Sequence, residues 1–280
     1  MQKRVAAIHD ISGIGKCSLT AAIPIISAAG IEAAVMPTAV LSTHTGDMKG
    51  YTYRDLTEDL VPFAKHWSSL DVVFDGIYSG FLGSTKQVDI VCDFIDEFRT
   101  DNTVVVVDPA MADGGKMYKT FDDFFAKEMI CLCKKADILV QNITEAAFLV
   151  GEEYKESPHT KEYIGNLLSR LLELGPSKIV LTGVSFNDNC IGCAVKCKES
   201  DETVYFNSEK YSGVYYGTGD IFASALTGAY LRGKDIFQSA EIALDFTCSA
   251  IKRTFEAGTD TRLGVNFVQG LAEYIKSLGV

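Results

Sequence analysis

The sequence lacks any long apolar run, any cluster of basic residues and any internal repeat or low-complexity segment. A helix that spans a membrane needs about 20 apolar residues. The longest candidate, 21–36, is interrupted by Pro24, Gly30 and Glu32. The apolar run 5–8 near the start is too short for a signal peptide. We therefore expect a cytoplasmic protein with no membrane partner.

Basic residues are scarce relative to acidic ones. Lysine and arginine together number 26 against 37 aspartate and glutamate residues, and the net charge is −11. A protein that binds nucleic acid needs clustered basic side chains to neutralise phosphates, so we expect no nucleic-acid partner. With 280 residues, 47% of them apolar and 22% charged, the chain has the size and composition of one globular domain, 1–280.

The eight cysteines do not form a metal-binding pattern. Cys190 and Cys193 are spaced like one half of a zinc site and Cys197 lies nearby, but no second pair follows at the spacing that zinc sites use. The segment 190–197 is more typical of a strand. We expect free thiols, most of them buried as small hydrophobic side chains.

Two common nucleotide-binding motifs are incomplete in the glycine-containing segment 10–16. A P-loop would need glycine at position 10 and serine or threonine at 17, where the chain has Asp10 and Cys17. A dinucleotide fingerprint would need a third glycine where Ser18 stands. Both motifs are therefore excluded. Asp10 and Ser12 remain as polar residues at the end of a strand, where they either contact a small molecule or serve only the turn and the next helix.

Strand and helix patterns alternate along most of the chain. The predicted strands are 4–11, 31–41, 71–78, 103–107, 137–141, 178–182, 190–198 and 203–211. The predicted helices are 19–29, 55–67, 85–99, 121–134, 144–150, 161–174, 221–232, 236–255 and 265–278. This alternation predicts an α/β fold with a central, mostly parallel sheet flanked by helices on both faces and a small antiparallel strand pair. Ligands of such sheets bind beyond the carboxyl ends of the strands.

The tetrad Gly217-Thr218-Gly219-Asp220 directly precedes an apolar helical segment. Glycines let backbone N–H groups approach an anion, and the start of a helix has unpaired N–H groups and a partial positive charge. A carboxylate repels phosphate, so Asp220 makes sense there as a base that takes a proton from an alcohol attacking a phosphoryl group. The alternative is that Asp220 only caps the helix.

Polar residues also follow most of the predicted strands. His44 stands in the loop after the second strand, where it contacts either a ligand or solvent. Asp108 ends a buried valine run and needs a cation, Mg²⁺ or a water network to offset its burial. Asn142 and Glu145 can face one direction across a first helical turn, which suits hydrated Mg²⁺. Alternatively, Thr144 or Asn142 could simply cap that helix. Thr182-Gly183 could contact a phosphate or ribose.

Four segments in this order resemble the ribokinase-like superfamily and, within it, the pyridoxal kinases. They are Ser79-Gly80-Phe81-Leu82-Gly83, Asp108-Pro109-Ala110-Met111, Asn142-Ile143-Thr144-Glu145 and the tetrad at 217–220. The corresponding family forms are S-G-Y-L-G, D-P-V-M/L, N-x-x-E and G-T/V-G-D. Gly114-Gly115-Lys116-Met117-Tyr118 is similar to a loop near ATP in this family. The resemblance implies a ribokinase-like fold and ATP-dependent phosphorylation of the 5′-hydroxymethyl group of pyridoxal, pyridoxine or pyridoxamine.

The resemblance also implies a role for each matching residue. Asp220 would be the general base, beside an anion hole formed by Gly217, Thr218 and Gly219. Asp108 and Glu145 would act through Mg²⁺. The residues implied to bind ATP are Asn142, Thr182, Gly183 and Thr218. The residues implied to bind the vitamer are Asp10, Ser12, His44, Thr45 and Phe81. Members of the family are typically homodimers that use Mg-ATP, often with a monovalent cation such as K⁺.

Two positions on the substrate side depart from the pyridoxal kinase pattern. Many pyridoxal kinases have Ser where this chain has Asp10, and Tyr where it has Phe81. In having Asp at position 10, the chain is similar to the hydroxymethylpyrimidine kinases of thiamin synthesis. Those enzymes usually carry Cys where this chain has Asp220. A hydroxymethylpyrimidine kinase is therefore an alternative, as is a non-catalytic vitamer sensor, which would need neither Asp220 nor Glu145.

Overall fold

The computed structural model describes residues 2–279, which contain eleven strands, nine α-helices and two short 3₁₀ helices. The strands are β1 (Arg4–Ile14), β2 (Glu32–Thr43), β3 (Tyr53–Asp55), β4 (Gly76–Ser79), β5 (Val104–Val107), β6 (Ala112–Asp113), β7 (Lys116–Met117), β8 (Ile138–Asn142), β9 (Lys178–Val184), β10 (Cys190–Cys197) and β11 (Thr203–Glu209). The α-helices are α1 (Leu19–Ala28), α2 (Thr57–Ser69), α3 (Thr85–Phe98), α4 (Asp123–Cys133), α5 (Ile143–Val150), α6 (Lys161–Glu173), α7 (Thr218–Leu231), α8 (Ile236–Ala257) and α9 (Leu271–Ser277). The 3₁₀ helices are Thr261–Leu263 and Val268–Gly270. Within 2–279, every helix is too short or too polar to cross a bilayer.

Nine of these strands form one sheet in the order β11-β10-β9-β8-β5-β4-β1-β2-β3. The strands from β9 to β2 in this order run parallel to one another. β10 and β11 add an antiparallel pair at one edge, and β3 is antiparallel to β2 at the other edge. β6 and β7 form a separate two-stranded hairpin. The predicted fold class is confirmed.

Helices cover both faces of the sheet. One core cluster packs the sheet against α2 to α6, and the other packs it against α1, α7, α8 and α9. The central strand β5 contributes to both clusters. Val105 and Val107 belong to the first cluster, while Val104 and Val106 contact the second. β-branched residues suit a strand that is buried on both faces.

Two predicted boundaries near the start of the chain are wrong. The segment 12–16, predicted as a turn, continues as strand to Ile14, because β1 keeps its pairing with β2 as far as Thr43. The helix predicted from residue 55 begins instead at Thr57. The residues before it, Tyr53–Asp55, pair with β2 as an exposed edge strand that carries no apolar alternation.

The later boundaries differ in two further places. The strand predicted at 71–78 covers only Gly76–Ser79, since Asp71 takes a positive φ of 52° that ends the preceding helical turn. The helix predicted at 265–278 covers only Leu271–Ser277, because Gly264 turns the chain with a φ of +77° and a 3₁₀ helix follows. The two-residue strands β6 and β7 were not predicted, and the other elements lie where the pattern predicts them, within a few residues.

Candidate active site

A cavity of about 470 Å³ lies where the carboxyl ends of β5, β8 and β9 meet the start of α7. All nine residues that the sequence assigned to phosphate, nucleotide or metal line it. They are Asp108, Asn142, Glu145, Thr182, Gly183, Gly217, Thr218, Gly219 and Asp220. The pairing of Asn142 with Thr182 in neighbouring parallel strands explains part of this convergence, because parallel strands end at the same edge of a sheet.

The start of α7 has the geometry of an anion site. Gly217 caps the helix with a φ of +75°, and a Cβ there would lie 2.2 Å from the backbone oxygen of Lys16, so only glycine fits. The N–H of Ile221 bonds to the Gly217 oxygen. The N–H groups of the preceding residues, 218–220, therefore have no partner within the helix. They border the cavity and can receive an anion.

Asp220 is the third residue of α7 and does not cap it, since Gly217 holds the cap position. The helix-cap alternative for Asp220 is therefore wrong. Its carboxylate borders the cavity near the backbone of Ser18. Burial raises the pKa of Asp220 to about 7. The backbone N–H of Ser18 lowers this pKa, and the nearby charge of Asp10 raises it further. A carboxyl group that titrates near neutrality suits proton transfer.

Asp108 and Glu145 are buried acids that line the same cavity. Burial, together with the charges of Glu145 and Asp220, raises the pKa of Asp108 well above its usual range. Burial raises the pKa of Glu145 to about 7, although the N–H groups of Asn142 and Met111 donate to its carboxylate at 2.9 and 3.1 Å.

The residues present fit a magnesium ion at this position. Burial and mutual repulsion disfavour the charged forms of Asp108 and Glu145. A nearby cation would stabilise these charged forms. Within residues 2–279 there is no group of three or more His, Cys, Asp or Glu side chains able to hold a metal. A pair of carboxylates is enough for Mg²⁺, which usually keeps several waters and takes substrate phosphates as ligands.

Asn142 and Glu145 also form a capping box at the start of α5. The Asn142 side-chain oxygen accepts the N–H of Glu145 at 2.9 Å, and a Glu145 oxygen accepts the N–H of Asn142 at 2.9 Å. The Asn142 amide nitrogen donates to the Ala112 oxygen at 2.8 Å. The capping interpretation of Asn142 is therefore confirmed, while its role in ATP binding stays a prediction.

None of the five residues predicted to bind the vitamer lines this cavity. Asp10 is buried beside it, and the Ser12 hydroxyl donates to its carboxylate at 3.2 Å. Burial raises the pKa of Asp10, while hydrogen bonds from the Ser18 and Ser12 hydroxyls and the nearby His44 oppose this rise. Asp10, Ser12 and His44 thus form one cluster next to Asp220.

His44 has protein partners at both ring nitrogens. Nδ1 accepts the N–H of Gly46 at 3.1 Å, so Nε2 carries the hydrogen and donates to the Arg262 oxygen at 2.5 Å. The ring packs against Tyr216 at 5.1 Å between centroids. The ring is buried, and neither of its nitrogens is free to bind a ligand.

The other two residues predicted on the vitamer side are Thr45 and Phe81. Thr45 is exposed in the loop after β2. Phe81 is half-buried after β4, and its ring packs on Phe121 at 5.5 Å. Their assignment to the vitamer stays a prediction.

Residues 15–264 match the phosphomethylpyrimidine kinase family. The chain belongs to this family. It is 34% identical to a protein from Bacteroides thetaiotaomicron assigned as a phosphomethylpyrimidine kinase, whose crystal form contains pyridoxal; the match covers 100% of this chain and 96% of that chain, with a TM-score of 0.91. It is 28% identical to pyridoxal kinase from Lactobacillus plantarum over 99% and 98% of the two chains, with a TM-score of 0.90.

A curated relative carries the other substrate name. The hydroxymethylpyrimidine/phosphomethylpyrimidine kinase of Aquifex aeolicus is 26% identical over 193 residues, which cover 67% of this chain and 71% of the relative. These comparisons confirm the resemblance to the pyridoxal kinases of the ribokinase-like superfamily. This protein is a kinase of the pyridoxal and hydroxymethylpyrimidine type, and both alcohols are represented among its relatives.

The sequence analysis missed three residues that this family member places around the acidic cluster. Ser18 lies near Asp10 and Asp220, and Tyr216 packs on His44. Burial raises the pKa of Tyr53 to about 12, and the charges of Asp55 and Asp10 add to this rise. Ser18 carries the ordinary signature of a helix cap. Tyr53 stands in the unpredicted strand β3, whereas the position of Tyr216 beside the tetrad was an available signal.

The three cysteines at 190, 193 and 197 lie on one strand. The segment predicted as a strand forms β10, with Cys193 and Cys197 buried and Cys190 half-buried. All three thiols are free. The strand interpretation is confirmed.

Proposed function

We propose that this kinase transfers the γ-phosphoryl group of ATP to the 5′-hydroxymethyl group of a vitamin B6 vitamer. The observation that carries the proposal is Asp220, an acid with a pKa raised to about 7 beside three unpartnered N–H groups at the start of α7. Hydroxymethylpyrimidine kinases usually have Cys at this position. The presence of pyridoxal in a crystal form of the Bacteroides relative supports the same alcohol.

In the proposed reaction, the Asp220 carboxylate accepts the proton of the alcohol. The alcohol oxygen then forms a bond to the γ-phosphorus, and the bond between that phosphorus and the β–γ bridging oxygen breaks, so that ADP leaves. The anion hole proposed at Gly217, Thr218 and Gly219, together with the unpaired N–H groups at the start of α7, stabilises the charge on the transferring group, a contribution that is large where water is excluded. Removing a positioned base typically slows such a step by about 10²–10⁴-fold.

The other residues of the cavity bind and orient the phosphates. Asp108 and Glu145 would hold Mg²⁺, which supplies charge neutralisation for the β- and γ-phosphates when bound. Thr182 and Gly183 line the triphosphate side. By the family resemblance we also propose a homodimer and a monovalent cation such as K⁺.

Hydroxymethylpyrimidine is the second candidate substrate. Asp10 favours it, since Asp at this position is typical of the kinases that act on that alcohol, and the Aquifex relative bears that name. The chemistry at Asp220 would be the same for both alcohols. Asp10 thus favours hydroxymethylpyrimidine, whereas Asp in place of the usual Cys at position 220 favours the vitamer.

A substrate panel tests the proposal. Wild type, Asp220→Asn and Asp59→Asn are assayed for ATP consumption and product with Mg²⁺ and either pyridoxal or hydroxymethylpyrimidine. Asp59 is a matched control because it is an exposed aspartate in the first turn of α2. We expect turnover of pyridoxal by wild type and Asp59→Asn, and a loss of about 10²–10⁴-fold in Asp220→Asn.

Three results would contradict this assignment. If wild type turns over hydroxymethylpyrimidine in preference to pyridoxal, hydroxymethylpyrimidine is the substrate. Near-wild-type turnover by Asp220→Asn would refute the base. Binding of pyridoxal without any alcohol-dependent consumption of ATP would indicate a non-catalytic vitamer sensor.

A further inference from the structure

His9, in the middle of β1, is a buried histidine with no role in the proposed reaction. The residue is fully buried, and within residues 2–279 neither of its ring nitrogens has a hydrogen-bond partner. Burial lowers the pKa of His9 to about 3, so the ring is neutral and one of its nitrogens carries a hydrogen that it can donate. A buried polar group without a partner reduces stability, so an unpartnered imidazole in the core calls for an explanation.

The imidazole lies over Gly80, the residue after β4. A Cβ at Gly80 would lie 2.2 Å from His9 Nδ1 and 2.6 Å from His9 Cε1, and its third-nearest atom would also belong to this ring. The ring therefore extends from β1 across β4 and occupies the space that a side chain at position 80 would fill. The Tyr78 ring packs edge-on against the imidazole at 4.3 Å between centroids and limits its movement.

The sheet register places Asp108 directly beyond Gly80. β4 pairs in parallel with β1 on one side and with β5 on the other. The Gly80 N–H donates to the Ile8 oxygen at 3.1 Å, and the Asp108 N–H donates to the Ser79 oxygen at 2.9 Å, so both pairings continue past the end of β4. His9, Gly80 and Asp108 therefore form one row across the three strands, and the residues of one row point to the same face of a sheet.

The spacing of this row brings His9 within reach of the Asp108 carboxylate. Neighbouring strands lie about 4.8 Å apart, so the Asp108 Cβ lies within about 7 Å of His9 Nδ1. Gly80, which stands between them, has no side chain to separate them. Tyr78 and Val106, two residues earlier in β4 and β5, belong to one core cluster, as expected for rows that share a face. A carboxylate at this distance can accept from the ring nitrogen directly or through one water.

We propose that His9 is a positioning residue that donates a hydrogen bond to the Asp108 carboxylate, directly or through one water, and so holds it in place for Mg²⁺. The inference rests on the proposed function, in which Asp108 is one of the two carboxylates at the ion. Partners that hydrogen-bond to metal-binding carboxylates fix their orientation, and loss of such a partner typically reduces metal affinity by about 10–100-fold. Gly80 leaves the room for this contact, since a side chain there would push the imidazole away.

The effect of Mg²⁺ on Tm tests the proposal without relying on turnover. Thermal unfolding is measured at pH 8 with Mg²⁺ alone, at several concentrations, and the Kd for Mg²⁺ is obtained from the Tm shift. We expect this Kd to rise about 10–100-fold in His9→Leu. His9→Asn should stay close to wild type, because asparagine, like histidine, carries on Cγ a nitrogen that can donate. His66→Leu, which changes an exposed histidine of α2, is the control and should match wild type.

A double-mutant cycle tests the placement of the ring. Gly80→Ala should lower Tm by several degrees and raise the Kd for Mg²⁺ as His9→Leu does, because the new methyl group displaces the imidazole. In the His9→Ala background the same change should lower Tm much less, since the three atoms that the methyl group would meet all belong to His9. Gly80→Ala also leaves His9 itself unchanged, so it provides the Kd measurement if His9→Leu folds poorly.

Four results would overturn the proposal. An unchanged Kd for Mg²⁺ in both His9→Leu and Gly80→Ala would leave His9 as a packing residue only. An equal loss of affinity in His9→Leu and His9→Asn would implicate the shape of the ring rather than its N–H donor. Equal Tm losses for Gly80→Ala with and without His9 would place the ring elsewhere, and a wild-type Tm that does not respond to Mg²⁺ would leave no ion for Asp108 to hold. If wild type phosphorylates neither alcohol, the proposed function fails, and the Mg²⁺ titration still decides the role of His9.

Discussion

The pH dependence of turnover should report the ionisation of Asp220. Burial raises the pKa of this carboxyl to about 7 in the free protein, and only its charged form can accept the alcohol proton. Roughly a tenth of the molecules then carry a charged Asp220 at pH 6 and roughly nine-tenths at pH 8. We therefore expect kcat/KM for the alcohol to rise about tenfold between these values.

The assay measures initial rates at limiting alcohol and saturating Mg-ATP across this range, on wild type and Asp220→Asn. The variant should lose about 10²–10⁴-fold in rate and should show no inflection near neutrality, because no titrating base remains. A flat wild-type profile would refute the assignment. An inflection that survives in Asp220→Asn would assign it to another group, of which Glu145, with a pKa of about 7, is the first to examine.

The stability of the ligand-free protein provides an independent check with a defined sign. The pKa of Asp220 is raised from 3.8 to about 7 on folding, so the folded state binds the proton more tightly than the unfolded state. The free energy of unfolding should therefore fall as the pH rises from about 4 to about 7. Asp220→Asn should reduce this slope, which denaturant titrations at several pH values can measure. An unchanged slope would contradict the raised pKa.

Three further predictions concern the cavity. Gly217→Ala should lower Tm by several degrees and abolish turnover, because a Cβ would meet the Lys16 oxygen at 2.2 Å, whereas Gly219→Ala, with nothing within 4 Å of its Cβ, should keep the wild-type Tm. Glu145→Gln should raise the KM for Mg-ATP more than that for the alcohol; the reverse result in steady-state titrations would refute the metal position. Mg²⁺ should raise Tm more at pH 8 than at pH 5, because Glu145, with a pKa of about 7, is largely protonated at the lower pH and burial raises the pKa of Asp108 in the same direction. Equal shifts would place the ion elsewhere.

The cavity was predictable because its residues follow local rules. Asp108, Asn142 and Thr182 stand at or directly after the carboxyl ends of strands whose apolar runs are visible in the sequence, and parallel strands deliver these ends to one edge. Gly217 precedes a clear helical pattern at a point where only glycine fits. In each case the signal lies within a few residues of the site residue itself.

The substrate side was less predictable because it depends on contacts between distant segments. His44 is oriented by the carbonyl of Arg262, 218 residues away, and nothing near His44 encodes that partner. Ser18 has a positive φ of 49° beside Lys16 and Cys17, which pack on the distant Gly217. The edge strand Tyr53–Asp55 is short and exposed, so it lacks the apolar alternation by which strands are predicted.

The charge balance of the site determines how the nucleotide binds. Asp108, Glu145 and Asp220 all border one cavity, and burial raises the pKa of each, so the ligand-free site disfavours further negative charge. The N–H groups at the start of α7 supply only partial positive charge, which offsets one anionic group at most. These acids, when charged, would therefore repel a triphosphate that carries no metal. Nucleotide and Mg²⁺ should accordingly bind together, and in their presence the acids nearest the metal should lose their protons while Asp220 remains free to accept one from the alcohol.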